Sequence, residues 1–244
     1  MTALIIGASA GLGRALATEL AKSGTDLVIC ASNSDDLKAI ASDLMLKYNI
    51  NVITIIADAA NPVNFSNSIY EICKNVHTLN ELYFPIGRSI DRDDGLTDPQ
   101  LIANIIAINL VSIMSLISLL SPILIHKNTG LIIGFGSIAA ARGRSNNIAY
   151  SAAKRGLKSY FESLRHSLSK FNIKVQFYEM GYLKTQLSFG KKLPLPPASP
   201  GNIAKIILSQ RNNDFGSMYL PRYWKYISFT LNLLPWAIYK HLNF

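Results

Sequence analysis

The sequence predicts a doubly wound α/β domain, with a parallel sheet of about seven strands and helices on both faces. Short apolar runs alternate with longer segments of helical periodicity, the runs are apolar throughout, and the first of them passes through three glycines into an amphipathic helix. Runs without polar alternation suit strands buried on both faces of a parallel sheet, and the strand, helix, strand order supplies the crossovers that parallel pairing needs. The 244 residues, 49% hydrophobic and 16% charged, exclude a disordered, collagen-like or coiled-coil protein. A chain of this size buries a core large enough for one domain without disulfides or a structural metal.

The strands are expected at residues 3–6, 27–30, 52–56, 82–84, 131–135, 175–178 and 218–220, with helices between them. The first helix follows the glycines of residues 4–20, LIIGASAGLGRALATEL. Residues 100–125 are uncharged and long enough to span a bilayer, but they include Asn104, Asn109 and serines and lie between two strands of one sheet, so a buried core or interface helix is the reading. After residue 150 the apolar positions Ala153, Leu157, Phe161, Leu164, Leu168 and Phe171 keep helical spacing. The four prolines of LPLPPASP, residues 193–200, stop both helix and inner strand and mark a linker.

Cys30 and Cys73 stand in apolar contexts and read as free buried thiols; with four scattered histidines they offer no ligand spacing, so no metal is expected. Met1 leads directly into an apolar run with no basic segment before it, so a cytoplasmic location is expected. The net charge of +9 is uneven, with −4 over residues 1–127, +6 over 128–180 and +7 over 181–244. Such an excess attracts nucleic acid, an anionic membrane surface or an anionic substrate, or serves solubility alone. No recognised nucleic-acid module accompanies it.

The glycine-rich turn is where a dinucleotide would bind. Gly7 permits the tight turn, Gly11 lets backbone approach a pyrophosphate, and Gly13 lets the helix pack closely on the sheet, with Ser9, Ala10 and Leu12 completing the loop whose amides face the anion. At the end of the second strand, Cys30-Ala31-Ser32-Asn33-Ser34 lacks the acid that would hold the ribose hydroxyls of NAD. Ser32 and Asn33 instead suit a 2′-phosphate, which favours NADP. Asp35 and Asp36 fall in the first turn of the next helix, where carboxylates suit the dipole. Asp58, followed by Ala59, either accepts from the adenine amino group or caps the following helix.

Tyr150 and Lys154 in YSAAK share one helix face, and a lysine one turn from a tyrosine favours the phenolate, preparing it for proton transfer. Ser137 in GFGSIAA ends the fifth strand and would orient the same substrate oxygen. Together with Gly7, Gly11, Gly13, Asp58 and Asn109 of INLVS, these residues resemble the short-chain dehydrogenase/reductase family, with its landmarks in order over residues 1 to about 190. The resemblance implies a Rossmann-type catalytic core at 1–190, with 191–244 as a substrate-side segment and tail of the same domain. It also implies that Tyr150 is the general acid/base, that Ser137 polarises the carbonyl, that Lys154 binds the nicotinamide ribose and lowers the tyrosine pKa, and that Asn109 holds a relay water. Gly181, Leu183 and Thr185 in MGYLKT take the place of the family's PGxVxT stretch beside the carboxamide. The long helix and the Tyr150 helix would form a homodimer or homotetramer interface. Three positions depart from the family pattern: Ile6, Pro85-Ile86-Gly87, where Gly87 keeps the close backbone approach, and Met180.

The substrate would lie over the nicotinamide, within reach of Arg88, Arg92, Arg142 and Arg144, whose paired donors suit phosphate or carboxylate. From Pro221 onward the chain has three basic residues, no acids and two tryptophans, broken at Pro235. This composition suits the membrane interface, and packing over the pocket or a neighbouring subunit is the alternative. With ARGRSNNIAYSAAK it is similar to reductases of a 2-keto sugar on decaprenyl phosphate. The expectation is an NADP-dependent reductase of a ketone on an amphiphilic carrier; the alternatives are a soluble reductase of small, acyl or steroid-like ketones and a nucleotide-binding scaffold with a dormant site.

Overall fold

Seven parallel strands form one sheet in the order β3-β2-β1-β4-β5-β6-β7. They are β1 (Thr2–Ile6), β2 (Asp26–Ala31), β3 (Val52–Ile56), β4 (Leu79–Phe84), β5 (Gly130–Phe135), β6 (Ile173–Met180) and β7 (Ser217–Leu220). The computed structural model describes residues 1–90, 93–94, 98–185, 188, 190 and 193–242. Each apolar run marked in the sequence falls inside one of these strands. The exceptions to burial on both faces are the two edge strands, β3, in which Ile53 and Ile56 are 41% and 57% exposed, and β7, in which Leu220 alone is buried. An apolar run therefore marks the strand without fixing its place in the sheet.

Helices cover both faces. On one face α1 (Gly11–Lys22), α2 (Ser34–Tyr48) and α7 (Pro200–Gln210) bury Leu16, Leu20, Leu37, Leu44, Ile203 and Ile207 on Ile5, Ile29, Ile133 and Tyr178. On the other, α3 (Pro62–Cys73), α5 (Ser112–Lys127) and α6 (Ile148–Leu168) pack Ile69, Leu116, Ile117, Leu157 and Phe161 on Leu4, Val28, Leu82, Ile132 and Phe177. Successive strand residues point to opposite faces, so β1 to β6 feed both cores, and β7 adds Met218 and Leu220 to the first. Residues beyond 190 belong to this architecture, since α7 and β7 contribute Ile203, Ala204, Ile207 and Leu220 to the first core.

The apolar segment Pro99–Lys127 is long and apolar enough to cross a membrane by length and composition. In the fold it is α4 (Pro99–Ile106), one π-helical turn (Ala107–Val111) and α5, with Ile105, Ile113, Leu116, Ile117, Leu120 and Leu124 buried. The chain ends in α8 (Trp224–Leu233) and the short α9 (Trp236–Tyr239), separated at Pro235.

The winding reverses between β1 and β4: from β1 the chain proceeds to β2 and β3, then returns to pair β4 on the other side of β1. A crevice at the carboxyl ends of strands beside such a switch point is where ligands bind in open α/β sheets. The candidate site lies there.

Candidate active site

A cleft of about 1020 Å³ opens at the carboxyl ends of β1, β2, β4, β5 and β6. Its first wall is the turn between β1 and α1. Gly7 has φ +86 and Gly11 φ +54, backbone conformations that glycine adopts at no steric cost. Gly13 lies so close beneath the turn that a Cβ there would overlap the Gly7 carbonyl oxygen. Gly7, Ser9, Ala10, Gly11 and Leu12 line the cleft, whereas Gly13 packs behind it. The exposed amides of the first turn of α1 therefore face the cavity, a ready anion site.

Ser32, Asp58 and Ala59 line the neighbouring wall. Asn33 is not on that wall. Its side-chain oxygen caps α2 by accepting from the amides of Asp35 and Asp36, at 2.9 and 3.0 Å. Asp58 does not cap α3, since Asn61 accepts from the amide of Asn64 and Pro62 opens the helix; Asp58 instead closes a local turn on the amide of Ala60 at 3.0 Å.

Ser137, Tyr150 and Lys154 share the cleft with the glycine turn. Ser137 sits just past β5 and accepts from the amide of Ala139 at 3.2 Å, fixing its hydroxyl before a single 3₁₀ turn. Tyr150 lies in the first turn of α6. Burial pushes its phenol above the ordinary tyrosine value, and the hydrogen bond with the Ser137 side chain opposes that rise. The Lys154 ammonium turns to the carbonyls of Ile86 and Phe135, at 3.2 and 3.1 Å. Tyr150, whose ordinary value already lies well above 7, is a neutral phenol at pH 7, the form that donates a proton. Lys154 is itself 3% exposed, and burial brings it down to about 8, with Glu179 opposing.

Asn109 lies in the π-helical turn, outside the cleft wall. Its amide nitrogen donates to the carbonyls of Arg88 and Ile105, both at 2.8 Å, and its oxygen accepts from the amide of Arg88 at 3.1 Å. The side chain expected to hold a relay water thus pins the loop after β4. Gly87 lies between this carboxamide and Lys154: a Cβ there would meet Asn109 Oδ1 at 3.2 Å and Lys154 Nζ at 3.4 Å.

One site residue escaped the sequence reading. Asp93 is buried, and its two carboxylate oxygens accept from the amides of Ala149 and Tyr150, both at 2.9 Å. It ties the loop after β4 to the start of α6, where a carboxylate also suits the helix dipole. The only signal was an acid in DRDD, indistinguishable there from its neighbours.

Gly181 and Leu183 line the cleft with Thr185. The indole of Trp224, 3% exposed, lies against Gly181 so closely that a Cβ there would overlap it, and its ring meets Tyr182 edge-on at 5.1 Å. The amide of Ala198 donates to Tyr182 O and that of Lys184 to Ala198 O, so the proline-rich stretch folds back on this segment. Arg88 and Arg144 reach the cleft wall, and Arg92 lies outside the described residues. Arg142, offered by the sequence as an anion ligand, serves the tail: Nη1 donates to the carbonyls of Leu231 and Leu234 at 2.6 Å, and its guanidinium lies 3.8 Å from the centre of the Tyr239 ring.

These residues fit a nicotinamide dinucleotide: a glycine cradle that any side chain would fill, helix amides for a pyrophosphate, and a buried lysine beside a phenol at the far end. Among the described residues no cluster of His, Cys, Asp and Glu could hold a metal ion. Residues 1–192 match the family model for short chain dehydrogenase. The chain belongs to the short chain dehydrogenase family. It is accordingly an oxidoreductase by family.

Among short chain dehydrogenase relatives, it is 29% identical over 186 residues to a bovine (Bos taurus) 3-oxoacyl-[acyl-carrier-protein] reductase, covering 75% of this chain and 76% of that protein. It is 26% identical over 245 residues to a very-long-chain 3-oxoacyl-CoA reductase of Podospora anserina, covering 97% and 70%. The fold is similar to that of a short-chain dehydrogenase from Sphingobium yanoikuyae in complex with NADPH, with TM-score 0.84 and 20% identity over 99% of this chain and 96% of that one.

Proposed function

We propose that this chain is an NADPH-dependent reductase of a ketone carried on an amphiphilic molecule that it meets at a membrane surface. The observation that carries the reading is the gathering of Ser137, Tyr150 and Lys154 on the cleft that also holds the glycine cradle. Ser32, with no acid at the end of β2, supports NADP over NAD, as does the NADPH named with the Sphingobium structure. Bound NADPH would supply the hydride. Tyr150 would give its phenolic proton to the carbonyl oxygen while the Ser137 hydroxyl orients that oxygen, and the Lys154 ammonium, one turn along α6, would hold the nicotinamide ribose. Ketone and NADPH with one proton then become secondary alcohol and NADP.

Two observations support the amphiphilic substrate. Arg88 and Arg144 on the cleft offer donors to a phosphate or carboxylate, as a keto sugar on a polyprenyl phosphate requires, and two relatives are named for acyl-chain substrates. The tail carries the second. Its inner side packs down through Trp224 and Tyr239, with Ser228 buried beneath it, while Tyr226, Phe229, Leu233 and Trp236 on its outer side are 72%, 65%, 66% and 69% exposed. Arg222, Lys225 and Lys240 lie among them, a pattern suited to an anionic bilayer face on the cytoplasmic side. A second copy of the chain is assigned to the apolar residues Leu101, Val111, Met114 and Ile148, which α4, the π-helical turn, α5 and α6 leave exposed.

Truncating the tail would strip Trp224 from Gly181, so the test substitutes the outer side alone. Tyr226, Phe229, Leu233 and Trp236 are replaced together by serine. Full burial of a large apolar side chain contributes roughly 1.5–3 kcal/mol, so half-burial of four predicts a loss of vesicle affinity of about 10²-fold or more. Sedimentation with vesicles containing anionic phospholipid should fall accordingly, while reduction of a small water-soluble ketone persists. Equal partition of both proteins would overturn the membrane reading and favour a soluble reductase.

A further inference from the structure

Lys154 has a buried acidic neighbour for which the proposed reaction has not yet found a use. Glu179 lies on β6 between Tyr178 and Met180, 4% exposed, on the same side of the sheet as Phe177 and therefore beneath α6. Its Oε1 is 2.7 Å from Nζ of Lys158, one turn beyond Lys154 on that helix. Gly136 makes the space: a Cβ there would stand 2.6 Å from Glu179 Oε2. The residue before it, Phe135, gives its carbonyl to Lys154. Carboxylate and ammonium thus meet the same short piece of chain at the end of β5.

We propose that Glu179 is a positioning residue for Lys154: a carboxylate anchored by Lys158 that keeps Lys154 in its ammonium form beside Tyr150. Burying Glu179 is a poor way to add stability, since removing its charge from water costs more than pairing with Lys158, itself 40% exposed, returns, and an apolar side chain could fill the same place. A lysine inside the protein, by contrast, loses its proton readily unless a negative charge faces it. The ionisable groups around it are Tyr150, Lys158 and Glu162 on α6, Glu179 on β6, Tyr219 on β7, against which Lys158 lies, and Arg88 and Asp93 on the loop after β4; β5, the 3₁₀ turn, the π-helical turn and α4 present none. Glu179 opposes the effect of burial on Lys154.

The inference rests on the assignment of Tyr150 and Lys154 above, and its test separates the two. The pH profile of kcat/KM for NADPH-dependent reduction is measured for the wild type, Glu179→Gln and Lys158→Gln. Lys154 is an ammonium below about 8, so reduction should decline as pH rises through that region. Glu179→Gln removes the negative charge, and the alkaline limb should move to lower pH by roughly one unit or more, given the size of shifts produced by close opposite charges. Lys158→Gln removes the hydrogen bond and the positive charge that hold Glu179 ionised against burial, so its limb should also move to lower pH, and by less than in Glu179→Gln. An unmoved limb in Glu179→Gln, or a limb that moves down further in Lys158→Gln than in Glu179→Gln, overturns the proposal. Should Glu179→Gln not fold, Lys158→Gln alone decides: a limb moved down supports the proposal, and an unmoved or raised limb overturns it. Tyr150→Phe is run alongside: if it turns over like the wild type, the underlying assignment fails, whereas if it is silent and the limbs contradict the expectation, only the role of Glu179 fails.

Discussion

Tyr150→Phe should lower kcat for ketone reduction by about 10²–10⁴-fold, the range that a positioned proton donor supplies, with NADPH affinity nearly unchanged. The substitution keeps the ring and removes one oxygen, so the first turn of α6, capped by Asp93, is left as it is. What disappears is the proton that the phenol carries at neutral pH and the hydrogen bond it makes with Ser137. The glycine turn, Ser32 and Lys154 are untouched, so nucleotide binding should survive. Absorbance of NADPH gives the rate and nicotinamide fluorescence the affinity. Turnover within a few-fold of wild type, with intact binding, would remove Tyr150 from its assigned role.

Gly13→Ala should cost NADPH affinity at least tenfold and lower stability by about 1–3 kcal/mol, the usual penalty for overfilling a packed site. The new Cβ would overlap the Gly7 carbonyl oxygen and lie 2.8 Å from its carbon. Both are backbone atoms at the end of β1, so no side chain can rotate away; α1 must lift from the sheet, carrying its amides from the anion they face. Gly24→Ala separates this effect from general weakening. Gly24 has φ +73 but open space around it, so alanine there should lose about 1–2 kcal/mol through its backbone conformation and leave NADPH binding alone. Thermal melts and fluorescence titration of the two variants check both statements.

What could be read from the sequence divides along physical lines. The seven strands and the glycine turn were legible because burial on a parallel sheet and close backbone approach restrict residue type locally. Ser137, Tyr150 and Lys154 were legible through spacing along one strand end and one helix. Residues whose roles depend on distant partners were not. Arg142 reads as an anion ligand until carbonyls 89 and 92 positions away occupy it. Asn33 reads as a phosphate donor, and the sequence does not show that its oxygen also caps the helix beginning one residue later, while Nδ2 remains its donor. Asp93 is one of several acids in its loop until the first amides of α6 take it, and Glu179 is the one acid of β6 until the packing of α6 sets it against Lys158. The tail's composition suited both membrane and pocket, and it did not say which residues face which way; helical periodicity places Trp224 and Ser228 inward and Tyr226 and Phe229 outward.

The measurement closest to the central claim is titration of the purified protein with NADPH and with NADH, followed by nicotinamide fluorescence, with Lys154→Ala as control. The account predicts saturable binding of NADPH, weaker binding of NADH, and loss of affinity in Lys154→Ala. Preference for NADH would contradict the role given to Ser32 and the acid-free end of β2, and binding of neither would contradict the assignment of the cleft to a nicotinamide cofactor and leave a scaffold with a dormant site.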